Sequence, residues 1–154
     1  MQTASSSSEP VSPRREALSV LAHADAETLN AAWATWQNRP QVSIIRAPET
    51  GLIMLRGRTG GSGAPFNLGE ATVSRASVSI DTGEVGHGYC LGRDTQKAEL
   101  IAVIDALFQR EPDNIEFAIL RPLRDAAWAA DQTRREETAA TKVEFFTLVR
   151  GEDE

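Results

Sequence analysis

A strand with alternating glycines, followed at once by an apolar helix, constrains the fold of this chain more than any other feature. In EVGHGYCL one face of the predicted strand carries Val85, His87, Tyr89 and Leu91, and the other carries Gly86 and Gly88. The glycine face leaves room for a closely packed neighbour. After the break at residues 92–93, Asp94 is a suitable N-cap for the strongest helix of the chain, which ends before Pro112. Its buried stripe comprises Leu100, Ile101, Ile104, Leu107 and Phe108.

The N-terminal part divides into a tail and two helices. Residues 1–13 are rich in serine and proline, which predicts a disordered tail, and residues 14–154 are long enough for one domain with a single core. Apolar spacing predicts a helix over 14–24. Asp25 can cap a second helix, with Leu29, Ala32, Trp33 and Trp36 on one face. These two helices are expected to form a helical hairpin that ends before Pro40.

The hydrophobic period then changes from helical to strand-like. The segments 42–47 and 51–58 are short and aliphatic, and the residues 48–51 between them, Pro-Glu-Thr-Gly, are typical of a turn. They predict a β-hairpin. Because the second strand is apolar on both faces, we expect it to lie centrally, with cover on both sides.

A glycine-rich loop lies within residues 56–76, RGRTGGSGAPFNLGEATVSRA. Its spacing matches neither a P-loop nor a dinucleotide-binding fingerprint, so we expect either a hairpin turn or a lid that approaches a ligand. After this loop, Ala71 and Val73 lie on one face of the predicted strand, whereas Ala76, Val78 and Ile80 lie on the other. That switch predicts a β-bulge near Ser74 and Arg75.

The C-terminal third carries weaker signals. Residues 115–120 are interpreted as either a strand or a short connection, and residues 122–141 as a helix with a thin apolar stripe, on which Trp128 is a candidate protein contact. Residues 143–149 are apolar on both strand faces, so we expect part of the surface to be a permanent interface. The chain as a whole is predicted to be α+β: a largely antiparallel sheet of four to six strands, the N-terminal helical hairpin and two further helices.

Composition excludes several classes of protein. The net charge of −6 argues against general binding to nucleic acid or membrane surfaces, and no run approaches the roughly 18 apolar residues of a membrane span. A single cysteine, Cys90, rules out an internal disulfide and indicates a cytoplasmic protein. Because His87 and Cys90 are three residues apart on a strand, they should point to opposite faces, and no metal site is expected.

Polar residues near the predicted strand ends are the candidates for chemistry. Glu70 and Arg75 flank the glycine loop and are the predicted catalytic residues; an ion pair between them is the structural alternative. The predicted substrate-binding residues are Arg58, His87, Tyr89 and Arg93. The chain contains no G-x-S-x-G nucleophile elbow, which argues against a serine hydrolase.

Several segments together resemble the PhnG family, whose members are small subunits of the phosphonate carbon–phosphorus lyase core complex. They are SVLAHAD, APETGL, the glycine-rich segment, GHGYCLGRDTQKAELIAVIDAL and FFTLVRG, in the same order and at similar spacing. The resemblance covers roughly Arg15 to Gly151. It implies a two-fold symmetric complex with PhnI, the most intimate partner, and with PhnH and PhnJ, served by the ATP-binding-cassette proteins PhnL and PhnK.

The resemblance also implies a reaction. The ribose 5-triphosphate of ATP is transferred onto methylphosphonate and adenine is released, with ATP as co-substrate of the complex and no cofactor bound by this chain alone. Such a displacement needs a carboxylate and cations, which Glu70, Arg75 and Arg93 would supply. Two alternatives are a purely structural subunit supporting PhnI and, more remotely, a stand-alone phosphate-ester enzyme.

Overall fold

A computed structural model describes residues 12–60 and 63–140, which form a three-stranded antiparallel sheet and a set of helices. The strands, in spatial order, are β1 Val42–Arg58, β2 Pro65–Ile80 and β3 Val85–Leu91. The helices are α1 Pro13–His23, α2 Ala26–Ala34, α3 Thr95–Arg110, α4 Pro112–Ile115, a π-helical segment Glu116–Leu120 and α5 Arg121–Ala140. The α+β class is confirmed. The described residues contain three strands, fewer than the predicted four to six, and the predicted strand over 143–149 lies outside them.

The core lies between the sheet and α3. Ala76 and Val78 of β2 and Cys90 of β3 point toward Ile101 and Ile104, and α1 and α4 pack against α3. Gly86 and Gly88 face α3, as their alternation predicts. A Cβ atom added at Gly88 would lie 1.7 Å from the carbonyl oxygen of Ala98, so the helix backbone occupies the space that the glycines leave.

The predicted hairpin over residues 42–58 is wrong, because β1 is one continuous strand. Glu49, Thr50 and Gly51, assigned from sequence to a turn, pair with Arg75, Ser74 and Val73 of β2. The register shifts between Arg46 and Glu49, where Pro48 lies. A proline has no backbone N–H for the ladder, so a bulge accommodates it without ending the strand. Among the described strands β1 lies at an edge, and its Leu52, Met54 and Leu55 are exposed, so the described residues do not provide the predicted cover on both sides.

The bulge predicted near Ser74 and Arg75 is not in β2. Pairing of β2 with β3 continues without interruption from Val73 to Ser79, and the extra residues opposite this region belong to β1. Ser74 explains the misleading pattern. It is a buried polar residue on the core face, where its hydroxyl donates to the carbonyl oxygen of Gly92 at 3.0 Å.

The glycine-rich loop is the turn between β1 and β2, which confirms the hairpin alternative. Gly60 has φ +62°, a conformation that glycine adopts readily. The Gly63 amide donates to the carbonyl oxygen of Thr59 at 3.0 Å and closes the turn. Between Gly51 and Thr72 no described residue is buried. This two-stranded part, residues 51–72, is called the arm below.

The helices begin where their caps predict. The side chains of Ser12, Asp25 and Asp94 accept hydrogen bonds from the first turns of α1, α2 and α3. The boundary at residue 13 needs adjustment, because α1 already begins at Pro13; residues 1–11 of the predicted tail lie outside the described residues. α1 packs on α3, whereas α2 packs on the C-terminal helices, so the two are consecutive helices and not a closely packed hairpin.

Residues 115–120 are helical, and the strand interpretation is wrong. Ile115, Ile119 and Leu123 recur at helical spacing and are buried against the core. The helical stretch therefore runs from Pro112 to Ala140 with a π-helical segment inside it. Trp128 is 68% exposed on α5. No helix among the described residues is long and apolar enough to cross a membrane.

Candidate functional site

Three of the six predicted site residues lie together on the face of the sheet opposite α3, here called the outer face. Arg75 of β2 pairs directly with Tyr89 of β3, and Ser77 pairs with His87 in the next row. Side chains of directly opposed residues share a face and lie about 4.5–5.5 Å apart at Cβ. Arg75, Tyr89 and His87 therefore form one exposed cluster, the outer-face cluster.

The positive charge of Arg75 is shared with an acidic neighbour. Its Nε atom lies 2.8 Å from Oε1 of Glu49 on β1, and Nε of Arg46 lies 3.8 Å from the same oxygen. All three side chains are 44–54% exposed, so each pair contributes at most about 1 kcal/mol to stability. This arrangement keeps two guanidinium groups within reach of an anion. The ion-pair partner of Arg75 is therefore Glu49, and not Glu70 as in the structural alternative considered from sequence.

His87 is fixed through both its side chain and its backbone. Its Nδ1 atom lies 2.9 Å from the hydroxyl of Ser77, which leaves Nε2 pointing away from this contact. Its backbone amide donates to Oδ2 of Asp105 at 2.9 Å. The backbone at His87 is therefore held by Asp105 of α3, and its imidazole is held by Ser77 of β2.

Asp105 and Arg14 are functional-site neighbours that sequence reasoning missed. Asp105 is 1% exposed, and Arg14 donates to both of its oxygens, from Nε at 2.8 Å and from Nη2 at 2.7 Å. This hydrogen bonding raises the pKa of the Arg14 guanidinium, against a smaller opposing effect of burial. The sequence does carry a signal for this pair, because the carboxylate of Asp105 lies within the apolar stripe between Ile101 and Leu107. A buried charge at such a position requires a partner.

Glu70 lies away from the outer-face cluster. It is five residues from Arg75 on an unbroken part of β2, so the two side chains point to opposite faces about 17 Å apart along the strand. Its direct partner across the arm is Met54. No described residue forms an ion pair with Glu70.

Arg58 and Arg93 occupy two further places. Arg58 is the last residue of β1 and pairs with Pro65 at the tip of the arm. Arg93 follows β3 immediately, next to the N-cap Asp94 of α3, and is exposed. The six predicted residues therefore divide into the outer-face cluster, Arg93 at the end of β3, and Glu70 and Arg58 on the arm.

His87 and Cys90 point to opposite sides of β3, as their spacing predicts. Cys90 is buried on the core side, where its burial raises the pKa of the thiol, and His87 is exposed on the outer face. Across residues 12–60 and 63–140, no three histidine, cysteine or acidic side chains come together as metal ligands would.

The arm exposes apolar side chains on both of its faces. Leu52 and Met54 point to one face, and Leu55, Phe66 and Leu68 are exposed as well, with exposed fractions between 40 and 66%. A patch of this kind on an extended hairpin is typical of a protein–protein interface.

Two comparisons with known proteins find a match over most of this chain. The family model described as "Phosphonate metabolism protein PhnG" matches residues 12–151. A protein of Rhizobium meliloti (strain 1021), named alpha-D-ribose 1-methylphosphonate 5-triphosphate synthase subunit PhnG, is 51% identical over 144 residues, which cover 93% of this chain and 92% of that protein. The chain belongs to the PhnG family.

Proposed function

We propose that this chain is a non-autonomous subunit of the carbon–phosphorus lyase complex. In that role it helps to transfer the ribose 5-triphosphate of ATP onto methylphosphonate, with release of adenine. The name of its Rhizobium relative, a subunit of ribose 1-methylphosphonate 5-triphosphate synthase, supports the reaction. The observation that carries the subunit role is the arm, whose apolar side chains are exposed on both faces.

The energetics of the arm favour a bound state. Complete burial of an aliphatic or aromatic side chain contributes about 1.5–3 kcal/mol. The five exposed apolar side chains of the arm are already partly covered. Burial of their remaining exposed surface against a partner would still contribute several kcal/mol to the free energy of binding. We propose PhnI as that partner. The complex would also contain PhnH and PhnJ, and the ATP-binding-cassette proteins PhnL and PhnK would act with it.

The outer-face cluster, together with Arg93 at the end of β3, is the part of the chain suited to contact substrate. The guanidinium groups of Arg75 and Arg93 and the polar tips of His87 and Tyr89 are suited to bind the oxygens of a phosphonate or a triphosphate. ATP is the co-substrate in this scheme, and the chain binds no cofactor by itself. Glu70 lies on the other face of β2, so a shared site for Glu70 and Arg75 needs a partner that wraps around the arm.

Assembly is tested first. The double variant Leu52→Ser and Met54→Ser, co-expressed with the other subunits, should fail to co-purify with them. Phe117→Ser, which changes an even more exposed apolar residue on the π-helical segment, is the control and should co-purify normally. Normal assembly of the double variant would contradict the role of the arm.

The chemistry is tested on assembled complexes. Arg75→Ala and Arg93→Ala should lower the release of adenine from ATP in the presence of methylphosphonate while leaving assembly intact. Glu49→Gln is the matched control for Arg75, because it removes the ion-pair partner and keeps the guanidinium. Full activity of both arginine variants would favour a purely structural subunit.

A further inference from the structure

A bulge in β1 determines which side chains of this strand reach the outer face. Arg46 pairs with Ser77 of β2. Further along the ladder Glu49 pairs with Arg75, so β1 takes three residue steps where β2 takes two. Residues three apart on a regular strand point to opposite faces. Because the bulge inserts one extra residue, Arg46 and Glu49 both share the outer face with their partners on β2.

The bulge brings two charged residues of β1 beside the outer-face cluster. Ser77 and Arg75 also pair with β3, so two adjacent rows cross all three strands on this face. The rows are Arg46, Ser77 and His87, and next to them Glu49, Arg75 and Tyr89. Two guanidinium groups, an imidazole and a phenol hydroxyl therefore share one exposed patch with the carboxylate of Glu49. The two guanidinium groups keep their positive charge at any physiological pH.

The two guanidinium groups converge on one oxygen atom. Nε of Arg75 lies 2.8 Å from Oε1 of Glu49, and Nε of Arg46 lies 3.8 Å from the same atom. Two cations that meet at a single oxygen fit one compact anionic group, because the oxygens of that group can bond to both. Oε1 of Glu49 therefore marks the place where an oxygen of a phosphonate or of a terminal phosphate group would be bound.

Glu49 is held only weakly in this place. Its side chain is 46% exposed, and those of Arg46 and Arg75 are 54% and 44% exposed. Water and salt screen ion pairs of this exposure, so they contribute little to stability. A phosphate group has three acceptor oxygens and up to two negative charges near neutral pH, more than a carboxylate has. Such a group therefore competes effectively with Glu49 for the two arginines.

We propose that Glu49 is an internal competitor in a binding site for one phosphonate or terminal phosphate group. When that anion binds, the side chain of Glu49 turns away, and Arg46 joins Arg75 as a further substrate-binding residue. A singly charged anion such as acetate offers no more charge than Glu49 does, so the site selects doubly charged groups. This inference rests on the proposed function for the source of the anion, which is either methylphosphonate or ATP.

Direct binding to the full-length chain tests the site without depending on catalysis. Isothermal titration calorimetry measures the dissociation constants of methylphosphonate and, separately, of inorganic triphosphate. Arg46→Ala should weaken binding about tenfold, because it removes a charge-assisted contact with the anion. Glu49→Gln should tighten binding by up to about fivefold, because the neutral amide no longer competes. The probe that binds more tightly to the parent chain identifies the source of the anion.

The opposite signs of these two effects separate the site from a purely structural ion pair. If Glu49 only braced the sheet, both substitutions would disturb the same contact, and neither would tighten binding. Glu27→Gln makes the same change of charge at an exposed position of α2 and is the control; its affinity should equal that of the parent. Equal affinities of the parent and Glu49→Gln, or no binding of either probe to the parent, would overturn the proposal.

The same variants in the assembled complex show whether the site or the proposed reaction fails. Arg46→Ala should raise, and Glu49→Gln should lower, the KM for the substrate that supplies the anion, measured by adenine release. If the order of affinities holds but both KM values stay unchanged, the anion site stands and its proposed part in this reaction is wrong. If the order is absent while Arg75→Ala still lowers adenine release, this inference fails and the proposed function stands.

Discussion

Gly88 of β3 lies directly against the backbone of Ala98 in α3: a methyl group added at the glycine would overlap the Ala98 carbonyl oxygen at 1.7 Å. The atom that such a methyl group would overlap belongs to the helix backbone, which cannot move aside as a flexible side chain does. The close approach of sheet and helix therefore depends on the absence of a side chain at this position.

Gly88→Ala should destabilise the protein by about 1–3 kcal/mol or more, because α3 must shift away from the sheet. Urea unfolding followed by circular dichroism measures the change. Gly69→Ala is the control: it is also a strand glycine, with open space where its Cβ would be, and it should be nearly neutral. Equal stability of the two variants would contradict the close packing.

Asp105→Asn should cost about 1–3 kcal/mol, because the paired oxygens accept from Arg14 and from the amide of His87. The same unfolding measurement applies, and Asp113→Asn at an exposed position of α4 should change stability by less than about 0.5 kcal/mol. The prediction fails if Asp105→Asn is as stable as the control.

Glu111 gives the chain a pH-dependent contribution to stability. Hydrogen bonds from Arg110 and Asn114 lower the pKa of this carboxyl below its ordinary value of 4.5. Its contribution is therefore present above pH 4.5 and is lost as the pH falls through the lowered pKa. Glu111→Gln should be less stable than the parent at pH 7, and this difference should shrink at pH 3. Glu137→Gln, exposed on α5, is the control.

Cys90 should react slowly with thiol reagents in the folded protein. It is buried, and burial raises the pKa of its thiol, so little thiolate is present at neutral pH. Labelling with a chromogenic disulfide reagent should become fast only in denaturant. Since the chain has a single cysteine, every labelled molecule reports on this site. Rapid labelling under native conditions would place Cys90 at an accessible position.

Changes at Glu70 and Arg75 should be additive. The two side chains lie on opposite faces of β2, and groups more than about 10 Å apart couple by less than roughly 0.5 kcal/mol. The test is a double-mutant cycle on adenine release by the assembled complex, with Glu70→Gln and Arg75→Ala. A large coupling energy would show that a partner subunit joins both residues in one site.

Local units of this fold were predictable from sequence. The unit of β3 and α3 follows from alternating glycines, the cap at Asp94 and a helical apolar stripe, all of which are read within 25 neighbouring residues. Strand β1 was not predictable in this way. Pro48 and Gly51 have the chemistry of a turn, and only the pairing of Glu49 and Thr50 with β2, far along the chain, keeps the strand continuous.

The candidate site shows the same limit. Arg75, His87 and Tyr89 could be chosen from sequence by residue type, but the register that gathers them on one face depends on the pairing of β2 with β3. The sequence did not reveal that Glu70 and Arg75 point to opposite faces of β2. A buried serine, Ser74, broke the alternation of apolar residues and so suggested a bulge between the two. Asp105 was overlooked because its partner, Arg14, is 91 residues away.

Side chains from α1 and α3 cover part of the β3 edge, and this has a consequence for assembly. A sheet that can accept a strand on both sides can stack copy upon copy into an open-ended filament, because each added unit presents a new edge. Here the side chains of Asp105, Arg14 and Gln109 already bond to the backbone of His87 and Val85. A strand from another copy could pair with this part of β3 only by breaking those hydrogen bonds, so repeated stacking of sheets through this edge is disfavoured.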